Sequence, residues 1–141
     1  MLDLSSDLHA ALGCSQMERI DSFILERNHI AQRYSEKLQN LKIQLPMISQ
    51  KNQSSFHLYV IRVPAESRLK LYNHLKSNGV LCNVHYIPVH LQPYYRQLGF
   101  NTGDFPSAES YYSEALTLPI YPGLTANEQE KIITLIKESL S

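Results

Sequence analysis

Apolar residues in the first part of the chain recur at alternating steps of three and four, the spacing of one helical face. The members of this stripe are Ile20, Ile24, Ala31, Tyr34, Leu38 and Leu41. Arg27 occupies the one place in the stripe where an apolar residue is missing. Ser6 or Asp7 can cap the start of the helix, and Pro46 ends any continuation. The pattern therefore predicts one long N-terminal helix, with a bend or break near Gly13, because glycine weakens a helix locally.

Three later segments have the composition of short strands. The first covers residues 56–63, in which successive side chains alternate between two faces. Phe56, Leu58 and Val60 share one face, and His57, Tyr59 and Ile61 share the other. Because both faces are fairly apolar, we expect this strand to be central or covered on both sides. Residues 80–84 and residues 118–121 are the second and third predicted strands.

Helices are predicted between and after these strands. Residues 65–78 form a helix with Leu71 and Leu75 as its core pair, and another helix covers residues 107–116. The segment 125–128 is a capping box, which opens the last helix. That helix is expected to bury Ile132, Ile133, Ile136 and Leu140. The predicted fold class is α+β: a short three-stranded sheet packed with helices, with one long helix at the N-terminus.

Composition and charge narrow the possible functions. The 141 residues suit a single domain over residues 1–141, and the formal net charge is zero. No basic stripe is present, so a nucleic-acid partner is not expected. No apolar run is long enough to span a membrane, and no secretion signal precedes the first helix. Cys14 and Cys82 lie in different predicted elements, which favours two reduced thiols and a cytoplasmic protein.

Polar-tipped side chains concentrate in one loop that follows the second predicted strand. Residues 83–90 read Asn-Val-His-Tyr-Ile-Pro-Val-His. Loops at strand ends commonly display binding groups, and His85 and Tyr86 can hydrogen-bond phosphate or hydroxyl groups. Asn83 and Ile87 flank this pair and offer a side-chain amide and backbone groups. The alternative is that His85 and Tyr86 only pack beneath the next helix.

The residues that follow allow two interpretations. His90, Tyr94, Tyr95 and Arg96 either clamp a phosphate or form a half-buried packing layer. A metal site on His85 and His90 is not expected. Pro88 prevents the two histidines from sharing a helical face, and no cysteine or carboxylate lies nearby to complete a ligand set.

Four motifs resemble those of a known family, in the same order along the chain. They are residues 7–21 (Asp-Leu-His-Ala-Ala-Leu-Gly-Cys-Ser-Gln-Met-Glu-Arg-Ile-Asp), residues 84–90 (Val-His-Tyr-Ile-Pro-Val-His), residues 105–109 (Phe-Pro-Ser-Ala-Glu) and residues 118–125 (Leu-Pro-Ile-Tyr-Pro-Gly-Leu-Thr). These are similar to the C-terminal part of the DegT-type nucleotide-sugar aminotransferases, which depend on pyridoxal phosphate (PLP). The loop 84–88 is similar to the branch that aminates a UDP-4-keto sugar in pseudaminic acid synthesis, and related branches share it.

The resemblance implies a fold and a role. The fold is the small domain of fold-type I PLP-dependent transferases. The complete enzyme moves an amino group, typically from glutamate, to a nucleotide-linked keto sugar used in cell-surface polysaccharide or amino-sugar synthesis. The residues expected to contact the substrate in that enzyme are Asn83, His85, Tyr86, Ile87 and His90.

The part of the family that carries the chemistry has no counterpart in this chain. The family's large domain holds the lysine that forms the Schiff base with PLP and the acidic partner of the pyridine nitrogen. None of the lysines here lies in such a motif; they are Lys37, Lys42, Lys51, Lys70, Lys76, Lys131 and Lys137. The family's tyrosine-arginine pair before the first helix is replaced by Asp3-Leu4. We therefore expect no catalytic residue in this chain, no PLP bound to it alone and no activity in isolation.

Two other functions are consistent with these observations. The chain is either a non-catalytic module for nucleotide-sugar binding or oligomerisation, or one half of a split enzyme completed in trans. A small domain without its large partner should expose an apolar patch. We therefore predict a homo-oligomer, formed through the first long helix or the face carrying His57 and Tyr59.

Overall fold

The computed structural model describes residues 6–140, so the substitution at Asp3-Leu4 lies outside the described residues. Two short strands and six helices follow one another in this part of the chain, together with one 3-10 turn. Their bounds, in chain order, are α1 (Asp7–Met17), α2 (Ile20–Leu38), β1 (Tyr59–Arg62), α3 (Ala65–Ser77), the 3-10 turn (Val89–Leu91), α4 (Pro93–Gln97), α5 (Pro106–Glu114), β2 (Ala115–Leu118) and α6 (Ala126–Leu140).

The predicted long helix is two helices, α1 and α2. The break lies at residues 18–19, after the position near Gly13 where it was expected. Helix α1 passes through Gly13 unbroken, and Ser6 is its N-cap because its hydroxyl accepts from the His9 amide at 3.4 Å. Only the C-terminal half of α2 is buried: Ala31, Tyr34 and Leu38 from the predicted stripe, and Ile30 beside it.

The sheet has two strands within residues 6–140, and the prediction of three was wrong. Strands β1 and β2 pair antiparallel, with Tyr59 opposite Leu118 and Ile61 opposite Leu116. The segment predicted as the second strand, residues 80–84, makes a single bridge to β2, at Asn83. It cannot extend further back because the Val80 amide donates to the Leu75 carbonyl at the end of α3.

The other two strands are displaced or shortened relative to the prediction. Strand β2 begins at Ala115 and ends before Pro119, which has no N–H to continue a ladder. Helix α5 consequently ends at Glu114 and not at residue 116. Strand β1 begins at Tyr59, so His57 is exposed in the bend before it while Tyr59 is fully buried. These two residues therefore do not form a shared surface face.

Helices α3 and α6 agree with the prediction, whereas α4 and the 3-10 turn were not predicted. Leu71 and Leu75 are the buried residues of α3, and α6 buries Ile132, Ile133 and Ile136. Leu140, which was expected to be buried with them, is half-buried. The capping box is present: the Glu128 amide donates to the Thr125 hydroxyl at 3.2 Å, and the Thr125 amide donates to the Glu128 carboxylate at 2.9 Å. No helix within residues 6–140 combines the length and apolar character that crossing a bilayer requires.

The core lies where α2, α3 and α6 pack with the two strands. The rings of Tyr34 and Tyr59 meet at its centre, 5.1 Å apart. The Tyr34 hydroxyl donates to the Pro119 carbonyl oxygen at 3.0 Å, and burial raises the pKa of that phenol. This bond fixes the end of β2 against α2, and β2 in turn supports the histidine-rich loop, residues 83–90.

Candidate functional site

The histidine-rich loop is attached to β2 at its start. Asn83 and Thr117 exchange two backbone hydrogen bonds, of 3.2 and 2.8 Å. The Nδ1 atom of His85 lies 2.8 Å from the Thr117 hydroxyl oxygen. Thr117 is itself buried, so its side chain has a fixed position from which it holds the imidazole. The predicted ligand-facing histidine is thus held at the edge of the sheet, and the side chain of Asn83 is exposed beside it.

The tip of the loop projects into solvent. The rings of His85 and Tyr86 meet edge to face at 4.6 Å, across a cis peptide bond. The Tyr86 side chain is 72% exposed, and Ile87 and Val89 are also exposed. Tyr86 therefore offers a phenol to a ligand that approaches this surface, and Ile87 and Val89 offer exposed apolar side chains in the same loop.

The far end of the loop is anchored by a buried histidine. His90 is only 7% exposed, and its Nε2 atom lies 2.9 Å from one carboxylate oxygen of Glu109. The Gly103 amide donates to the same oxygen at 2.8 Å. These bonds, the Gly103 amide first and the His90 ring second, hold the pKa of the Glu109 carboxyl below its usual value. The Phe105 ring packs on the imidazole at 4.8 Å.

Aromatic rings continue outward from His90. Phe105 contacts Phe100 at 6.1 Å, and Phe100 contacts Tyr95 at 6.5 Å. Tyr94 meets Tyr95 edge to face at 5.4 Å and is largely exposed, as is Arg96. Of the two interpretations of this segment, the packing layer describes His90 and Tyr95, whereas the arginine lies at the surface.

Two cavities formed by the described residues are lined by other parts of the chain than the loop. One of about 450 Å³ is lined by residues of α6 and of the segments at 79–81 and 119–124. Lys131 lines it, but its ammonium donates to the Asn78 carbonyl oxygen at 2.7 Å. A second, of about 820 Å³, lies between the start of α2 and residues 53–55. The loop is therefore an exposed wall and not the lining of these cavities.

The described residues do not fit PLP. A Schiff-base lysine must lie in an enclosed site next to a group that holds the pyridine nitrogen. All seven lysines are exposed, and Glu128, beside Lys131, already accepts hydrogen bonds from Thr125. We therefore assign no cofactor chemistry to residues 6–140. In the same range, no group of three or more His, Cys, Asp or Glu side chains is arranged to hold a metal ion.

Two residues that support the site were not identified from the sequence. Thr117 lies on a strand that the sequence places a few residues too late, so its contact with His85 could not be anticipated. Glu109 is the last residue of the motif 105–109, but the motif gives only its position. A buried histidine needs a hydrogen-bond partner, and an acidic side chain is a common one. This requirement is the signal that could have pointed to Glu109.

Comparison with known proteins gives consistent matches over nearly the whole chain. The spore coat polysaccharide biosynthesis protein SpsC of Bacillus subtilis (strain 168) is 34% identical over 139 residues, which cover 94% of this chain and 36% of that protein. The crystal structure of the aminotransferase TlmJ from Streptoalloteichus hindustanus superimposes with a TM-score of 0.89 at 29% identity, covering 97% of this chain and 37% of the other.

Two further solved structures are also similar to this chain. PseC of Helicobacter pylori, an aminotransferase involved in the biosynthesis of pseudoaminic acid, has a TM-score of 0.84 at 27% identity, covering 92% of this chain and 36% of that one. NtdA of Bacillus subtilis, solved with bound cofactor PMP, has a TM-score of 0.82 at 29% identity, covering 93% of this chain and 31% of that one.

The chain spans about a third of the length of these relatives. The profile of the DegT/DnrJ/EryC1/StrS aminotransferase family matches residues 5–137. Because this match covers almost the whole sequence and the fold agrees, the chain belongs to the DegT/DnrJ/EryC1/StrS aminotransferase family.

Proposed function

We propose that the chain is the C-terminal domain of a PLP-dependent enzyme that transfers an amino group to the keto group of a nucleotide-linked sugar. The observation that carries the proposal is the family match over residues 5–137, together with the exposed loop that contains one of the matching motifs. The names of the relatives support a role in polysaccharide or amino-sugar synthesis. The PMP bound to a relative supports PLP as the cofactor of the complete enzyme.

In this proposal the chain binds and orients the substrate, and groups outside it carry the chemistry. Tyr86 donates or accepts through its exposed phenol. His85 presents its Nε2 atom, since Nδ1 is engaged by Thr117. Ile87 packs against the sugar or base, and the side-chain amide of Asn83 binds at the edge of the ligand. His90, with Nε2 bonded to Glu109, supports the loop from below.

A domain exchange tests the proposal. This chain replaces the matching third of the Helicobacter pylori aminotransferase, and two half-reactions are followed by absorbance. Amino transfer from glutamate to PLP reports that the cofactor domain is folded. Amino transfer to a panel of UDP-, dTDP- and GDP-linked 4-keto sugars reports the function of this chain. A chimera that accepts nitrogen from glutamate but aminates none of the panel would contradict the proposal.

Single substitutions in the chimera test the loop. Tyr86→Ala and His85→Ala should each slow the keto-sugar half-reaction about tenfold or more, without slowing the glutamate half-reaction, because they remove contacts to the sugar nucleotide only. Tyr111→Ala is the matched control, since Tyr111 is an exposed tyrosine on α5 that lies outside the loop. Equal rates for all three variants would show that the loop does not contact the substrate.

The alternative functions predict different behaviour of the chain alone. A binding module should bind UDP sugars tightly by itself, and the exposed side chains of Tyr86, Ile87 and Val89 are the feature that favours it. Calorimetric titration of the isolated chain with UDP sugars separates the two cases, because a wall of a larger site should bind only weakly. Half of a split enzyme should gain activity when a separate PLP-bearing domain is added.

We also propose that α1 mediates association between copies of this chain. No residue of α1 is buried, although an 11-residue helix is marginal in water without tertiary contacts. Leu8 and Leu12 lie on one side of it, and Ala10 and Met17 on the other, so no polar face dominates.

Sedimentation of the chain should show a dimer or larger species that Leu12→Glu dissociates. Leu69→Glu, at an exposed leucine of α3, is the control, and a monomer at all concentrations would contradict the proposal.

A further inference from the structure

We propose that Glu109 is a positioning residue, which fixes the conformation of the histidine-rich loop by holding the buried imidazole of His90. The proposal rests on the proposed function for its effect on the reaction, but its structural part concerns this chain alone. One carboxylate oxygen of Glu109 joins three segments: His90 at the end of the loop, Gly103 in the turn before α5, and α5 itself.

The geometry favours an ionised carboxylate at this point. Glu109 lies in the first turn of α5, where the unpaired amides and the helix dipole stabilise negative charge. Gly103 has φ of 99°, a left-handed conformation that glycine adopts without strain, and this directs its N–H toward the carboxylate. The amide of Asn101 is in turn bonded to Asp104 at 2.7 Å, so the turn carrying Gly103 is closed.

An ionised carboxylate determines the protonation of its partner. Carboxylate oxygens only accept hydrogen bonds, so the Nε2 atom of His90 must carry a hydrogen and donate it. Burial of the imidazole against Phe105 limits competition from water. A charge-assisted bond in such a place is stronger than a neutral one and is costly to leave unmade. His90 therefore has one preferred ring orientation.

The contact at His90 restricts the loop because the two points at which the loop is held, His85 and His90, are close in sequence. The loop is held at His85 by Thr117 and at His90 by Glu109, with only residues 86–89 between. The Leu91 amide donates to the Pro88 carbonyl at 2.9 Å, which closes the 3-10 turn leading to His90. Two fixed ends separated by four residues restrict the positions that Tyr86 and Ile87 can take, and this preorganises the surface for a ligand.

Substitution at Glu109 tests the inference in the exchanged enzyme. Glu109→Ala should lower kcat/KM for the keto sugar by about 10- to 100-fold and mainly through KM, because misplacing a group by about 1 Å can cost up to about 100-fold. Glu109→Gln keeps an acceptor and should recover part of that loss. The glutamate half-reaction should not change with either variant. Glu114→Gln is the control, since it lies on the same helix and pairs with Arg62, away from the loop.

A second measurement uses this chain alone and does not depend on the proposed function. Amide hydrogen exchange and heteronuclear relaxation at the amides of Tyr86, Ile87 and Val89 should show increased motion in Glu109→Ala and near-native behaviour in Glu109→Gln. The ¹⁵N spectrum of the wild-type imidazole should show His90 protonated at Nε2. Unchanged loop dynamics in Glu109→Ala, or a His90 ring protonated only at Nδ1, would overturn the inference. If the chimera aminates no sugar but the loop loosens as expected, the proposed function fails and the anchor stands.

Discussion

Thr117→Val is the substitution that tests most directly how the sheet holds the loop. Valine has nearly the same shape as threonine, suits a strand, and leaves the backbone bonds to Asn83 in place. What it removes is the hydroxyl that lies 2.8 Å from Nδ1 of His85. The expected effect is therefore confined to one hydrogen bond and to the orientation of one imidazole.

The size of the effect follows from the burial of the two partners. A typical intramolecular hydrogen bond contributes about 1 kcal/mol net, and a buried polar group left unpaired costs more. His85 is partly exposed, so water can reach its Nδ1 atom when the hydroxyl is removed. We therefore expect a loss of about 1 kcal/mol, which corresponds to a fall of about 0.5 M in the urea midpoint if the m-value is about 2 kcal/mol/M.

The assay is urea unfolding of the wild type, Thr117→Val, His85→Phe and the double variant. The two substitutions should be non-additive by about 1 kcal/mol, because each removes the same bond. Thr134→Val, at an exposed position of α6, is the control and should change stability by less than about 0.5 kcal/mol. Additive effects, or a Thr117→Val variant as stable as the wild type, would refute the idea that Thr117 holds His85.

Three further predictions concern stability and reactivity. Hydrogen bonds from Thr125 lower the pKa of Glu128, so this carboxyl takes up its proton at a lower pH in the folded state than in the unfolded chain. The free energy of unfolding should therefore fall as the pH drops below about 4.3, and it should fall less in Glu128→Gln. Urea midpoints at pH 6 and pH 3.5 measure this difference. Burial raises the pKa of Cys82 to about 12, whereas Cys14 is exposed. A thiol reagent at pH 8 should therefore modify Cys14 quickly and Cys82 only after unfolding. Fast reaction of both thiols would contradict the buried position of Cys82. Ile133→Ala, at a fully buried position, should cost about 2–5 kcal/mol, whereas Leu69→Ala at an exposed position should cost less than about 1 kcal/mol by the same denaturation assay.

Helices were more predictable from the sequence than strands. The periodicity of α3 and α6 and the capping box before α6 give the correct elements because these signals are local. Strand bounds depend on partners that are distant in sequence. Residues 80–84 are apolar enough for a strand, but the Val80 amide is used at the end of α3, and only Asn83 bonds to β2. No local pattern carries that information.

The site was predictable in part. The loop 83–90 stood out by its composition, and the structure gives it two distinct kinds of histidine. His85 is held at the sheet edge, whereas His90 is buried on a carboxylate from a helix 19 residues further on. The sequence pattern treats the two histidines alike, because the difference arises from β2 and α5, whose positions relative to the loop are a tertiary property.

The distribution of exposed and anchored residues supports one interpretation of the chain. In the loop, the imidazoles of His85 and His90 are hydrogen-bonded to Thr117 and Glu109. The side chains of Tyr86 and Ile87 are exposed to solvent. Ordering side chains costs conformational entropy, so anchors at both ends of an otherwise exposed loop favour a surface that is prepared for contact before the contact is made. The same chain presents α1 without any buried residue. A preorganised loop and an uncovered helix are both expected of a domain whose surfaces are completed by other polypeptide, as the proposed function requires.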